Sequence, residues 1–122
     1  MAKNDDKLVL IISHNANDDK STVAFTIANA ALSTGTDVAI FLTSDGVELS
    51  RDGATDYSHV KPFKALNELI ESFVENGGFL WSCAPCFEHR GLRTEETVAK
   101  TMVTGAGPML EWIREGARVI SL

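Results

Sequence analysis

Apolar residues follow two rhythms along this chain, unbroken short runs and stripes spaced three to four apart, and the two alternate. Lys7 to Ser13 is leucine-rich and β-branched with no polar alternation, the pattern of a strand covered on both faces. A polar stretch follows from His14 to Asp19, with Asp18 or Asp19 placed to cap a helix. From Lys20 to Thr34, Val23, Ala24, Ile27, Ala28, Ala31 and Leu32 form one helical stripe, which Gly35 ends. Thr36 to Leu42 is a second covered strand. Thr43 to Phe63 has no clear period, with room for a short helix around Val47 to Arg51. Lys64 to Asn76 is the clearest helix, because Leu66, Leu69, Ile70, Phe73 and Val74 recur at i, i+3, i+4, i+7 and i+8. Gly77 and Gly78 stop it, and Phe79 to Ser82 is a short third strand that runs straight into Cys83. Past Gly91 the pattern thins to a helix start at Thr94-Glu95-Glu96 and a short strand at Met102-Val103. A helix opened by Gly107-Pro108, with Pro108 at N1, and a closing strand from Val119 to Leu122 complete the chain.

Strand, helix and strand joined by short connections argue for parallel pairing. The expected architecture is one α/β domain over residues 1–122. Its core is a doubly wound, mainly parallel sheet of four or five strands in a flavodoxin-like three-layer sandwich. Composition adds exclusions. Eleven basic against 17 acidic residues give a formal net charge of −6, and no segment concentrates Lys and Arg. That argues against nucleic acid and anionic membrane surfaces as partners, leaving small molecules and proteins. The longest apolar run, Leu8 to Ile12, is far short of the roughly 20 residues a membrane span needs. The polar amino end resembles no secretion signal, so the cytoplasm is the expected compartment.

Both cysteines fall in one tetrapeptide, Cys83-Ala84-Pro85-Cys86. A disulfide closing so short a loop stabilises almost nothing, so the pair points to redox, sulfur or metal chemistry. In a doubly wound sheet the site lies beyond the carboxyl ends of the strands. Three segments qualify: His14 to Asp19, Thr43 to Phe63, and Ser82 onward. Pro85 reads as an early helical position, which sets Cys83 beside the unpaired N–H groups of a helix start and favours its thiolate. His89 and Arg90 add basic groups on the face of Cys86, while Glu88 opposes them. Small buried thiols are the plainest alternative. Structural zinc wants four ligands, whereas here one pair stands with isolated His14 and His59, so no metal or other cofactor is expected. A thioredoxin-like fold would place its CxxC after an early strand, and here it follows the third.

The run Cys83-Ala84-Pro85-Cys86-Phe87-Glu88-His89-Arg90-Gly91-Leu92 resembles the cysteine loop of the DsrE/DsrF-like (YchN-like) family. That loop has a cysteine after a short apolar strand and an Arg-Gly pair seven and eight residues later. The opening strand with its polar loop and Ala-rich helix is also similar. So are Asp37 to Leu42 with the following Asp45-Gly46-Val47, and the closing Ala117 to Leu122. The resemblance implies a sulfur-relay protein, with a persulfide carried on Cys83 and exchanged with the thiol of a donor or acceptor protein. Cys86 has no counterpart in the single-cysteine relay subunits and resembles the "predicted peroxiredoxin" branch, where it would resolve or protect Cys83. Family members are typically trimeric or hexameric, so a homotrimer or homohexamer is implied.

Cys83 and Cys86 are therefore the catalytic candidates, and His89, Arg90, His14 and Asn15 the candidate substrate contacts. A thiol-disulfide protein cycling both cysteines, and a non-enzymatic oligomeric binding module, are the alternatives. Asp45 is read as shaping a turn with Gly46. Tyr57 and His59 lie in the long loop, where they could cover Cys83 in a small pocket. Trp81, Trp112 and Phe87 offer aromatic surface for association.

Overall fold

The computed structural model describes residues 6–122, and the acidic amino end before them lies outside the described residues. Five strands, β1 (Lys7–Ile12), β2 (Asp37–Leu42), β3 (Phe79–Cys83), β4 (Thr101–Thr104) and β5 (Arg118–Ser121), make one sheet. All pairs are parallel, in the order β4-β3-β2-β1-β5. The helices are α1 (Asp19–Ser33), α2 (Leu66–Glu75), α3 (Ala84–His89) and α4 (Gly107–Arg114), with 3-10 turns at Ser44–Ser50 and Thr94–Glu96. The doubly wound three-layer sandwich expected from the sequence is observed, with five strands. Among the described residues no helix is long and apolar enough to cross a membrane.

Local chemistry sets these boundaries. Asp18 caps α1 by accepting the Lys20 N–H at 2.9 Å, and Gly35 ends that helix at φ 89°, a conformation that favours glycine. The stripe predicted for α2 buries Leu66, Leu69, Ile70, Phe73 and Val74. Phe73 packs edge-on against Phe25 of α1, with ring centroids 5.8 Å apart. Together with Leu10, Ile12, Val38, Ile40, Leu42 and Leu80 they form the main core on one face of the sheet. Each such side chain contributes about 1.5–3 kcal/mol by leaving water.

The other face is thinner. Ala39, Phe41 and Trp81 are covered by Met109 and Trp112 of α4, and α4 has no fully buried residue. Trp112 stacks edge-on against both Trp81 and Phe79, each at 5.4 Å between centroids, and Lys7 Nζ sits 4.8 Å above its ring. Phe79, Met102, Leu110, Ile113 and Val119 are left exposed. This corrects the expected aromatic surface: Trp81 and Phe87 are buried and Trp112 is half-buried. These exposed apolar residues belong instead to the edge strands β4 and β5, the first residue of β3, and α4.

Candidate functional site

Parallel strands deliver three segments to one end of the sheet: Ser13 to Asp18 after β1, Thr43 to Ser50 after β2, and Cys83 to Arg90 across α3. Cys83 is the last residue of β3 and occupies the cap position of α3, with Pro85 in the first turn. Strand alternation turns it to the face of Phe79 and Trp81, and it packs against the smaller apolar cluster as well as the main core. Cys86, inside that first turn, packs against the main core. Both thiols are free and half-buried.

The structure does not favour the Cys83 thiolate that the helix start predicts. Burial is the largest influence on Cys83 and pushes its thiol up. The Cys86 N–H and the Arg90 charge pull it down, but the Cys86 side chain adds to the rise. Cys86 is held down, first by the backbone N–H of Ser44, then by the Cys83 thiol and the Arg90 charge, against its own burial. The helix start that favours a Cys83 thiolate is thus outweighed by desolvation. A dedicated donor from another segment serves Cys86 instead.

That donor is held in an unusual backbone. Ser44 has φ 51°, a left-handed conformation that costs a non-glycine residue about 1 kcal/mol or more. Its neighbours are anchored to the end of β1 and to each other, since Thr43 N–H donates to the Ile12 carbonyl at 2.9 Å and Gly46 N–H to the Thr43 carbonyl at 2.8 Å. Gly46 lies so close to β1 that a Cβ there would collide with the Ile12 carbonyl. Farther along, the buried Ser50 hydroxyl donates to the Val47 carbonyl at 2.7 Å and to Ser82 Oγ at 3.3 Å, tying the turn to β3.

Arg90 joins the turn to α3. Its Nη2 meets Asp45 Oδ1 at 2.8 Å, Nε lies 3.8 Å from Glu48 Oε2, and Nη1 donates to the Cys86 carbonyl at 3.2 Å. Asp45 pushes the guanidinium pKa further up. Asn15 Nδ2 reaches Glu48 Oε1 at 3.4 Å, which brings the first segment into the same network. Of the four candidate contacts, Arg90 and Asn15 therefore join this network. His14 Nδ1 pairs with Asp18 at 3.1 Å at the start of α1. His89 is exposed in a cleft of about 450 Å³ with Ala84, Pro85 and Glu88, on the outer side of α3.

Only the first part of the long loop reaches the thiols. Tyr57 is fully exposed, and His59 Nε2 is engaged with the Phe63 carbonyl at 2.9 Å, so neither covers Cys83. Among the described residues no three His, Cys, Asp or Glu side chains gather as for a metal ion. Sequence reasoning overlooked Ser44 and Glu48 and read Asp45 only as a turn former. The available signal was the position of Ser44-Asp45-Gly46 directly after a covered strand.

The DsrE/DsrF-like family profile matches residues 6–122. An uncharacterised protein of Methanopyrus kandleri is 30% identical over 118 residues, covering 94% of this chain and 93% of its own. The crystal structure of the ychN protein of E. coli shares the fold, with a TM-score of 0.75 at 16% identity over 95% of this chain and 99% of that one. A protein of unknown function from Methanobacterium thermoautotrophicum does so with a TM-score of 0.69 at 17% identity, covering 95% and 98%.

Proposed function

Because the chain belongs to the DsrE/DsrF-like family, a family of the sulfur-relay type, we propose that it carries a sulfane sulfur as a persulfide on its Cys83–Cys86 pair. The observation that supports this most is the pairing of two free thiols in one turn with a backbone donor for one of them. The thiolate is the nucleophile, so the more acidic thiol acts first. Cys86 attacks the outer sulfur of a donor persulfide. The donor's S–S bond breaks, its thiolate leaves and takes up a proton, and Cys86 becomes the persulfide. An acceptor protein's thiolate then attacks the same outer sulfur, and Cys86 departs as a thiolate stabilised by the Ser44 N–H.

The family resemblance assigns the carrier role to Cys83, and the acidity order moves the first attack to Cys86. Cys83 keeps its proton and acts second. On losing that proton, Cys83 attacks the inner sulfur of the Cys86 persulfide; hydrosulfide is expelled and takes up the proton, and a Cys83–Cys86 disulfide closes. The closeness of the two thiols favours this disulfide cycle as the second reading. Arg90 contributes positive charge near both sulfurs, and His14 and His89 take no part. The partners are donor and acceptor protein thiols, and the protein acts as a homotrimer or homohexamer.

Intact-mass spectrometry after exposure to polysulfide tests the proposal. A gain of about 32 Da, one sulfur atom, is expected for the wild type. At neutral pH Cys83→Ser should retain that gain and Cys86→Ser should lose it. The opposite pattern returns the carrier role to Cys83. A loss of two hydrogens without sulfur gain would replace the relay with a disulfide cycle.

A further inference from the structure

We propose that the Asp45–Arg90 ion pair is a clamp that sets the Ser44 backbone N–H on the Cys86 sulfur, which makes both residues positioning residues for the thiol. The proposal rests on the reading that Cys86 is the working thiolate. One guanidinium grips both sides of the contact. Nη1 holds the carbonyl of Cys86 itself at 3.2 Å, and Nη2 holds Asp45, the residue next to Ser44, at 2.8 Å. The fork of Arg is rigid and planar, so gripping two acceptors fixes the distance between them.

The remaining anchors of Ser44 do not do this. The Thr43 and Gly46 hydrogen bonds fasten the turn to itself and to β1, whereas Cys86 rides on α3. Among the described residues, the side-chain ties from this turn to α3 run through Arg90, the second being the looser 3.8 Å approach of Glu48. A serine at φ 51° persists only where its surroundings over-determine it. The Asp45 side chain is 59% exposed, and so exposed a pair contributes little to stability. Its worth is geometric.

The sign of one substitution separates positioning from charge. If Arg90 acted on Cys86 only as a nearby positive charge, Asp45→Ala would free that charge from its neutralising partner and make Cys86 more acidic. If the pair is a clamp, Asp45→Ala releases Ser44 and makes Cys86 less acidic.

The experiment follows the rate of iodoacetamide alkylation against pH in the Cys83→Ser protein, where Cys86 is the single thiol. Asp45→Ala is expected to raise the inflection by about one pH unit, the effect of losing a hydrogen bond to a charged group. Arg90→Lys, which keeps the charge but not the fork, should raise it as well. The Asp45→Ala/Arg90→Ala pair should do no more than Arg90→Ala alone, because both break one clamp. A lowered or unchanged inflection in folded Asp45→Ala overturns the proposal. Should Asp45→Ala fail to fold, an unchanged inflection in Arg90→Lys does the same. Sulfur loading is not measured, so failure here leaves the relay standing, and failure of the relay leaves the clamp standing.

Discussion

Gly46→Ala tests whether the close approach of the Ser44–Ser50 turn to β1 sets the chemistry of Cys86. The new Cβ would meet the Ile12 carbonyl oxygen and carbon and lie 3.4 Å from the Ser13 Cα. All three are backbone atoms that cannot rotate aside, so the turn itself must lift. Overpacking of this kind costs about 1–3 kcal/mol. At about 4 °C per kcal/mol for a domain of this size, Tm should fall by roughly 4–12 °C. Lifting the turn also draws the Ser44 N–H from Cys86. A hydrogen bond to a charged group is worth about 1.5–3 kcal/mol, and with water replacing part of it the pKa should rise by about one unit. At any pH below the Cys86 pKa the thiolate fraction then drops about tenfold, but a more basic thiolate is intrinsically more reactive, so the alkylation rate there falls only about threefold. The inflection of the pH profile is therefore the cleaner assay. Unchanged Tm would refute the close approach. A lowered Tm with an unmoved inflection would refute the Ser44 N–H as the source of Cys86 acidity.

Two further outcomes are expected. Sedimentation equilibrium should show a homotrimer or homohexamer of the 13.2 kDa chain, and Met102→Glu, on the exposed apolar strip, should dissociate it; a wild-type monomer at micromolar concentration would contradict this. The thiols should also shape stability against pH. Cys86 is depressed in the folded state, so from its folded pKa up to about 8.5 the unfolded chain holds more protons and stability rises with pH. Above about 8.5 the folded chain retains the Cys83 proton that the unfolded chain releases, and stability falls. Urea midpoints between about pH 5 and 10 should lose the rise in Cys86→Ser and the fall in Cys83→Ser.

The sheet was legible because Leu8–Ile12, Val38–Leu42 and Phe79–Trp81 are apolar without alternation, which only strands covered on both faces require. Helix α2 was legible because its five buried residues sit at helical spacing. Cys83 and Cys86 stood out by residue type alone. Their acidity did not, because that of Cys83 depends first on burial and that of Cys86 on Ser44, roughly forty positions earlier, in a left-handed conformation that serine does not advertise as Gly or Asn would. The Asp45–Arg90 and Asn15–Glu48 contacts span 45 and 33 positions, and composition carries no trace of such pairings. The β5 strand was foreseen, but its exposure was not, because its Val and Ile resemble those of a covered strand.

The long connection between β2 and α2 is cross-linked partway along. Arg51 bridges Thr97, Asp52 N–H donates to the Glu96 carbonyl at 2.7 Å, and Val98 N–H donates to the Ser50 carbonyl at 2.7 Å. These bonds divide the connection into an inner stretch held against the thiols and an outer stretch beyond their reach. The two halves differ in how they tolerate insertions and grafts. Loop closure costs only about 0.6 kcal/mol per doubling of length, so a foreign segment placed at the exposed Asp56 and Tyr57, past the buried Thr55, would hang from the cross-link without disturbing the sulfur. In the inner stretch, adding or removing one residue would rotate Ser44, Gly46 and Glu48 out of step with Cys86 and Arg90. The outer stretch is thus a natural place to attach a tag or reporter that leaves the thiols as they are.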